Sequence, residues 1–407
     1  MRTRRRSLLA AVVSLSLVIA ACVACSSPAR PAVCAGTGSS SRSQRLGTPP
    51  VPLTASQRRA RSHFVTRSGR TLELDGRPWR FTGVNEYWLG LDDNVTDRGG
   101  PTYPTHAAVD NGFCAADELG ATVVRSTSLG VSVGSPRSLE PRLGHFNDRA
   151  LRAIDYAVAD ARRYGLRLMI PLTDQQHYYG GGKHTFTNWL GYPDIPGATA
   201  SSSAAQQAQE AHFYTDGRVV TAFDAYIAHL LDHVNPLTGI RLGDDPTVAV
   251  WETGNEVYDA PSSWTEQTAA FIKSKAPHAL VADGSAASGK DITQTGVDQG
   301  DVDIVDGHFY PTDIARMRSD ASYVAGRQKA YVVGEFPMTG RDPTQWLAAL
   351  AGDRDVDGDL AWSLLPYDAD GRAEPHDDGY TFHYPGASGA ERRIDALLRA
   401  HARAVHS

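Results

Sequence analysis

The chain has 407 residues, 41% hydrophobic and 21% charged, the balance of a soluble globular protein with one large domain or two ordinary ones. A formal net charge of -6 argues against a nucleic-acid partner. The charge is uneven: residues 1–61 hold ten arginines and no acidic residue, leaving 30 basic against 46 acidic residues in the remainder.

The first element reads as an export signal. Arg2, Arg4, Arg5 and Arg6 precede an apolar core from Leu8 to Ala21, too short for a comfortable membrane-spanning helix. The core ends in Ile19-Ala20-Ala21-Cys22, which resembles the lipobox of bacterial lipoproteins, whose cysteine is lipidated and becomes the mature N-terminus. The expectation is a signal peptide over 1–21 and a lipid anchor at Cys22 holding the protein to a bacterial membrane at the cell surface. Simple secretion is the alternative. Residues 22–62 are rich in Ser, Pro and Arg and read as a flexible, solvated tether. Cys22, Cys25 and Cys34 precede any expected core. Cys114 stands alone within it and reads as a small buried hydrophobe, since this spacing supplies no disulfide framework.

From Phe64 onward strand-like and helix-like stretches alternate. Apolar, β-branched-rich runs predict strands at Trp79–Asn85, Ala121–Ser126, Arg167–Thr173 and Val248–Trp251. Four more follow at Ala279–Asp283, Val302–His308, Ala330–Glu335 and Leu360–Leu364. Apolar residues at helical spacing mark Arg149–Tyr164 and Val219–Val234. Eight such repeats predict an α/β fold, a (β/α)8 TIM barrel forming one catalytic domain over 63–405. A doubly wound open sheet would announce a Gly-rich turn after its first strand, and Val84-Asn85-Glu86-Tyr87-Trp88 is not one. The stretch from Tyr178 to Gln209 is too long for an ordinary connection and reads as a functional loop. Asp353–Gly358 opens like a calcium loop, but Leu364 stands where the twelfth-position Glu belongs.

Two glutamates carry the chemistry. Glu256 follows the run Val248–Trp251, and Glu335 closes the run that begins at Ala330. Carboxylates just past buried strands sit where a barrel keeps its active site. A pair of them is what cleavage of a glycosidic bond needs, one as acid and one as nucleophile or base. The acid requires a raised pKa, and the nucleophile requires cations and hydrogen-bond donors that keep it ionised. Glu252, within the strand, reads as a buried hydrogen-bonding partner. No cofactor or metal is expected, and His145, His177, His184 and His212 show no ligand spacing.

From about Phe64 to Leu364 the chain resembles glycoside hydrolase family 5, within the clan of (β/α)8 retaining glycosidases. Asn255-Glu256 matches the pair that closes the family's fourth strand, and Glu335 the glutamate that closes the seventh. The resemblance implies that Glu256 is the acid/base and Glu335 the nucleophile. Arg125, His308, Tyr310 and Trp362 match the family's supporting positions. Asn255 is expected to meet a sugar hydroxyl, and Asn85, Trp88 and Trp189 to line the cleft. Local stretches such as Asn188-Trp189-Leu190-Gly191 and Asp244-Asp245-Pro246-Thr247 are similar to those of endo-β-1,4-mannanases. Val257-Tyr258, Gly334 and Pro337 depart from the mannanase pattern, which bears on substrate choice. The implied function is retaining hydrolysis of internal β-1,4-mannosidic linkages by a monomer acting on β-mannan or a related β-glycan. The rivals are a β-1,4-glucanase or exo-β-mannosidase on the same machinery, and a non-catalytic polysaccharide-binding lipoprotein.

Overall fold

The computed structural model describes residues 63–407 except 194–207, 258, 287–290, 369 and 377. The expected signal segment, Cys22, the 22–62 tether and Tyr258 therefore lie outside the described residues. Among the described residues no helix is long and apolar enough to cross a membrane.

Eight parallel strands close into a barrel. They are β1 (Phe81–Asn85), β2 (Val123–Arg125), β3 (Arg167–Pro171) and β4 (Val248–Glu252), then β5 (Leu280–Ala286), β6 (Ile304–His308), β7 (Ala330–Pro337) and β8 (Gly358–Trp362). Each pairs with the next, and β8 pairs with β1 to complete the ring. All eight expected strands are present, and the TIM-barrel expectation is met.

Helices cover the outside of the barrel. Among them, α1 (His106–Leu119) lies between β1 and β2, α2 (Asp148–Tyr164) lies between β2 and β3, and α3 (Gly217–Asp232) precedes β4. The sequence sets their ends. Thr105 and Asn147 accept N-terminal backbone N–H groups of α1 and α2, while Gly120 and Gly165 end these helices with positive φ. A closing helix, α4 (Gly389–Val405), starts with a capping box between Ser388 and Glu391. Leu151, Ile154, Ala157 and Val158 of α2 are buried with Leu168 and Ile170 of β3 in the layer between barrel and helices.

A second cluster fills the barrel itself, with Val123, Met169, Val250, Ile304 and Val332 at its centre. Its floor is a feature not anticipated from the sequence. Val65–Ser68 and Thr71–Leu74 form an antiparallel hairpin that a third short strand, Arg77–Pro78, extends. Val65 and Leu72 insert into the barrel cluster, and Leu72 N–H donates to Asp357 just before β8. Asp75-Gly76 makes the second turn with both residues at positive φ, the Asp-Gly signal of a tight hairpin.

Cys114 corrects the sequence expectation. It is buried in α1 as anticipated, but it is disulfide-bonded rather than a plain hydrophobe, and the other three cysteines all lie outside the described residues.

Candidate active site

The C-terminal ends of the strands surround a cleft of about 400 Å³ whose lining includes Asn255, Glu256, Tyr310, Glu335 and Trp362. Glu335 is brought to it by an irregularity in β7. Val333 pairs with Gly307, yet Glu335 pairs with His308, so Gly334 is an extra residue on β7. Such a bulge re-aims the side chains beyond it. Glu256 lies just past β4 and takes φ +52°, a left-handed conformation uncommon for a residue with a Cβ and concentrated at functional sites.

Oxygens of Glu256 and Glu335 and a nitrogen of His308 all lie within 4.8 Å of one another. His308 Nδ1 is 3.0 Å from Glu256 Oε1 and 3.5 Å from Glu335 Oε2. The Tyr310 hydroxyl donates to Glu335 Oε2 at 3.2 Å. Gln176 Nε2 donates to Glu256 Oε2 at 3.3 Å.

Arg125 organises the floor. It is fully buried and donates to Glu335 Oε1 and Asn255 Oδ1, both at 2.7 Å. It also donates to both oxygens of Glu252, at 2.9 and 3.2 Å. Glu252 is thus the buried partner expected of it. Asn255 in turn donates to Asp174 Oδ1 at 3.2 Å, and an isolated bridge between these two residues continues the β3–β4 pairing.

The resting charges run against the expected assignment of acid and nucleophile. Burial raises the pKa of Glu335, and the His308 and Arg125 cations recover only part of that. Burial also acts on Glu256, but hydrogen bonding to His308 and Gln176 and the charges of His308 and Arg125 outweigh it and lower its pKa. Burial opposes the His308 charge, yet Glu335, Asp306 and Glu256 hold its pKa well above the ordinary value. The cause is geometric: in the free site the imidazolium makes its shorter contact with Glu256.

The remaining expected residues divide. Trp362 lines the cleft, and its indole N–H donates to Asp378 Oδ2 at 2.7 Å. Asn85 lies beneath the cleft, donating to Gly334 O at 2.8 Å and accepting from Arg125 at 3.2 Å. It supports the site from below. Trp88 does not line the cleft: it is fully buried in the helix-side core, and its Nε1 donates to Leu364 O at 3.0 Å. Tyr87, its neighbour in the turn after β1, takes the cleft position instead. Trp189 lines a neighbouring depression with His177 and Tyr178 rather than the cleft, its ring edge-on to Phe186. Val257, Gly334 and Pro337 are not among the lining residues either; Val257 is buried in the core.

Several lining residues were not anticipated: Tyr87, Asp93, Asp174, His376 and Asp378. Asp174 had a usable signal, a carboxylate just past β3. His376 and Asp378 come from the segment between β8 and α4, which shows no periodicity.

Residues 62–322 match the family model described as GH family 5 beta-mannosidase-like; the match ends before Glu335. Mannan endo-1,4-beta-mannosidase 2 of Oryza sativa subsp. japonica is 33% identical over 240 residues, covering 56% of this chain and 50% of that protein. The Arabidopsis thaliana protein of the same name is 30% identical over 218 residues, covering 52% and 46%. The chain thus spans about half the length of these curated relatives. The crystal structure of an endo-1,4-beta-mannanase from Rhizomucor miehei superposes with a TM-score of 0.66 at 23% identity, over 84% of this chain and 99% of that one, a likeness of fold. With the family match spanning most of the described barrel, this chain belongs to the GH family 5 beta-mannosidase-like family.

Proposed function

We propose that this protein is a retaining glycoside hydrolase that cleaves β-1,4-mannosidic linkages within mannan-type polysaccharides. The observation that carries the reading is the approach of Glu256 and Glu335, with oxygens within 4.8 Å. Retaining enzymes hold their carboxyl groups about 5–5.5 Å apart, whereas inverting ones leave at least ~6.5 Å for a water. The names of the relatives, mannan endo-1,4-beta-mannosidases, favour mannan and internal cleavage.

In the first step Glu335 attacks the anomeric carbon, forming an ester bond as the glycosidic C–O bond breaks. Glu256 gives its proton to the leaving oxygen. In the second step Glu256 takes a proton from water, the oxygen of that water attacks the same carbon, and the ester bond to Glu335 breaks. Arg125 and Tyr310 address both Glu335 oxygens and steady the charge that returns there. Glu256 is still partly open to solvent. A sugar filling the cleft removes that water and raises its pKa toward what an acid requires. The His308 N–H, 3.0 Å away, is the nearest proton.

Exo action has one observation in its favour. Tyr87 from the β1 end bonds His376, and Asp378 bonds Trp362 at the β8 end, so two connections meet at one side of the cleft. Export and lipid anchoring at Cys22 form part of the proposal, on the N-terminal pattern alone; metabolic labelling with a fatty acid, lost in Cys22→Ala, tests them.

The function is tested by Glu335→Ala and Glu256→Gln on a panel of β-mannans and β-glucans. Loss of hydrolysis with the fold intact is expected in both. Mannooligosaccharide products support internal cleavage, mannose alone supports exo action, and near-normal activity in either variant overturns the assignment.

A further inference from the structure

Asp306 is a buried carboxyl group that the reaction scheme above does not use. It lies on β6 two residues before His308, so both side chains project from the same face of the strand. Its side chain is fully buried. Asp306 Oδ2 is 3.4 Å from His308 Nε2 and 3.6 Å from Arg125 Nε. These are ionic contacts, too long for well-formed hydrogen bonds.

The space for this carboxylate comes from β7. A Cβ on Gly334 would stand 2.2 Å from both Asp306 oxygens, so any side chain there would push the carboxylate aside. Gly334 is also the extra residue that turns Glu335 into the cleft. The glycine therefore does two things at once: it makes the bulge, and it leaves room for a carboxylate behind the histidine.

The surrounding charges narrow what Asp306 does. Arg125 on β2 already has Glu252 on β4 at 2.9 Å and Glu335 on β7 at 2.7 Å. Asp306 is its most distant anion. Glu252 also faces this pair, an oxygen of it lying within 4.8 Å of an Asp306 oxygen and a His308 nitrogen, and Tyr331 on β7 packs its hydroxyl against Gly307. On the far side of the imidazole stand Glu256 and Glu335. Asp306 is the group that faces Nε2, while the two candidate reacting carboxylates share Nδ1.

We propose that Asp306 is a positioning residue: its carboxylate, seated over Gly334, holds the His308 ring as a cation with Nδ1–H turned to Glu256 and Glu335. A neutral imidazole has one N–H and two tautomers, and only one of them serves the carboxylates. Asp306 removes that choice, because a proton on each nitrogen then meets an anion. Asp306 itself touches no substrate atom. Its part in turnover rests on the reading of Glu256 and Glu335 given above.

The test uses the full chain with ¹⁵N-labelled histidine. The His308 signal is assigned by its absence in His308→Gln and titrated in the wild type and in Asp306→Asn, which keeps nearly the same shape. His308 is expected to stay charged through neutral pH in the wild type and to lose its proton about 1–3 pH units lower in the variant. The alkaline limb of kcat on mannan should fall by the same interval, with KM little changed. Gly334→Ala displaces the carboxylate while keeping Asp306 in the chain, and it should reproduce both effects; if Asp306→Asn does not fold, its titration decides. An unmoved His308 titration in a folded variant overturns the proposal. A shifted titration in a protein that hydrolyses no β-glycan upholds the positioning and overturns the proposed function instead.

Discussion

Tyr87 lies almost parallel to Trp362, with ring centroids 5.4 Å apart and planes inclined by 16°. One ring comes from the β1 end and the other from β8, and both line the cleft. The Tyr87 hydroxyl also meets Asn94 at 2.8 Å and His376 at 2.9 Å. Trp362 is thus held on one face by a ring and at its N–H by Asp378. Removing the ring in Tyr87→Ala should raise KM about 2- to 10-fold, from the ~0.5–1.5 kcal/mol that such an aromatic pair contributes. Tyr87→Phe keeps the stack and should move KM far less. Equal effects in the two variants, read by steady-state kinetics on mannooligosaccharides, would mean that the hydroxyl network rather than the stack places Trp362.

Arg125 is the cation on which the floor of the cleft depends. It bonds Glu252, Glu335, Asn255 and Asn85 simultaneously. Arg125→Met keeps much of the volume but leaves Glu252 and Glu335 buried without it. Breaking a buried ion pair from one side costs about 3–5 kcal/mol, so the urea midpoint should fall sharply and turnover should vanish. Arg125→Lys keeps a charge but loses the planar fork that reaches four partners; it should recover part of the stability and little of the activity. A stability within ~0.5 kcal/mol of wild type for Arg125→Met, the scatter of surface substitutions, would refute this account.

Stability should fall as pH rises from the acid side. Burial raises Asp160 to about 8 and, against partial compensation from backbone hydrogen bonds, raises Glu140 and Asp357 to about 7. Unfolded, these groups titrate near 3.8 or 4.5. Between those values and the folded ones, the native state holds protons that the unfolded chain has released. Its stability therefore declines with rising pH across that window and levels off above about 8. His401 acts in the same direction. Burial opposes its charge, but Asp359 raises its pKa, so its contribution is whole below the ordinary histidine value and is lost as pH rises through the folded one. Thermal unfolding should give a higher Tm at about pH 5.5 than at about pH 8, and Asp160→Asn should flatten the difference. A Tm that rises across this interval would contradict the assignment of these buried acids.

The barrel was legible because each of its strands is a buried run, and buried parallel strands are written as continuous apolar stretches. Glu256 and Glu335 were legible for the same reason, since each directly follows such a run. The floor hairpin escaped notice because its strands are four residues long and half exposed, so no apolar run marks them; only Asp75-Gly76 betrays the turn. Composition cannot show which of two adjacent aromatics in a turn lines the cleft, and it is Tyr87 rather than Trp88 that does. Asp306 and Gly334 lie 28 positions apart in the chain, and only the β6–β7 pairing shows that the missing side chain of one houses the carboxylate of the other.

The floor hairpin has a practical corollary. It brings the chain in at the N-terminal ends of the strands, with Val65 and Leu72 seated among the first residues of the barrel, whereas the cleft opens at the opposite ends. A linkage made at His63 itself therefore stands at the opposite end of the barrel from its mouth. Beads or surfaces coupled there would present a polymer with an open approach, while coupling through the β8–α4 connection, which carries His376 and Asp378, would block the entrance.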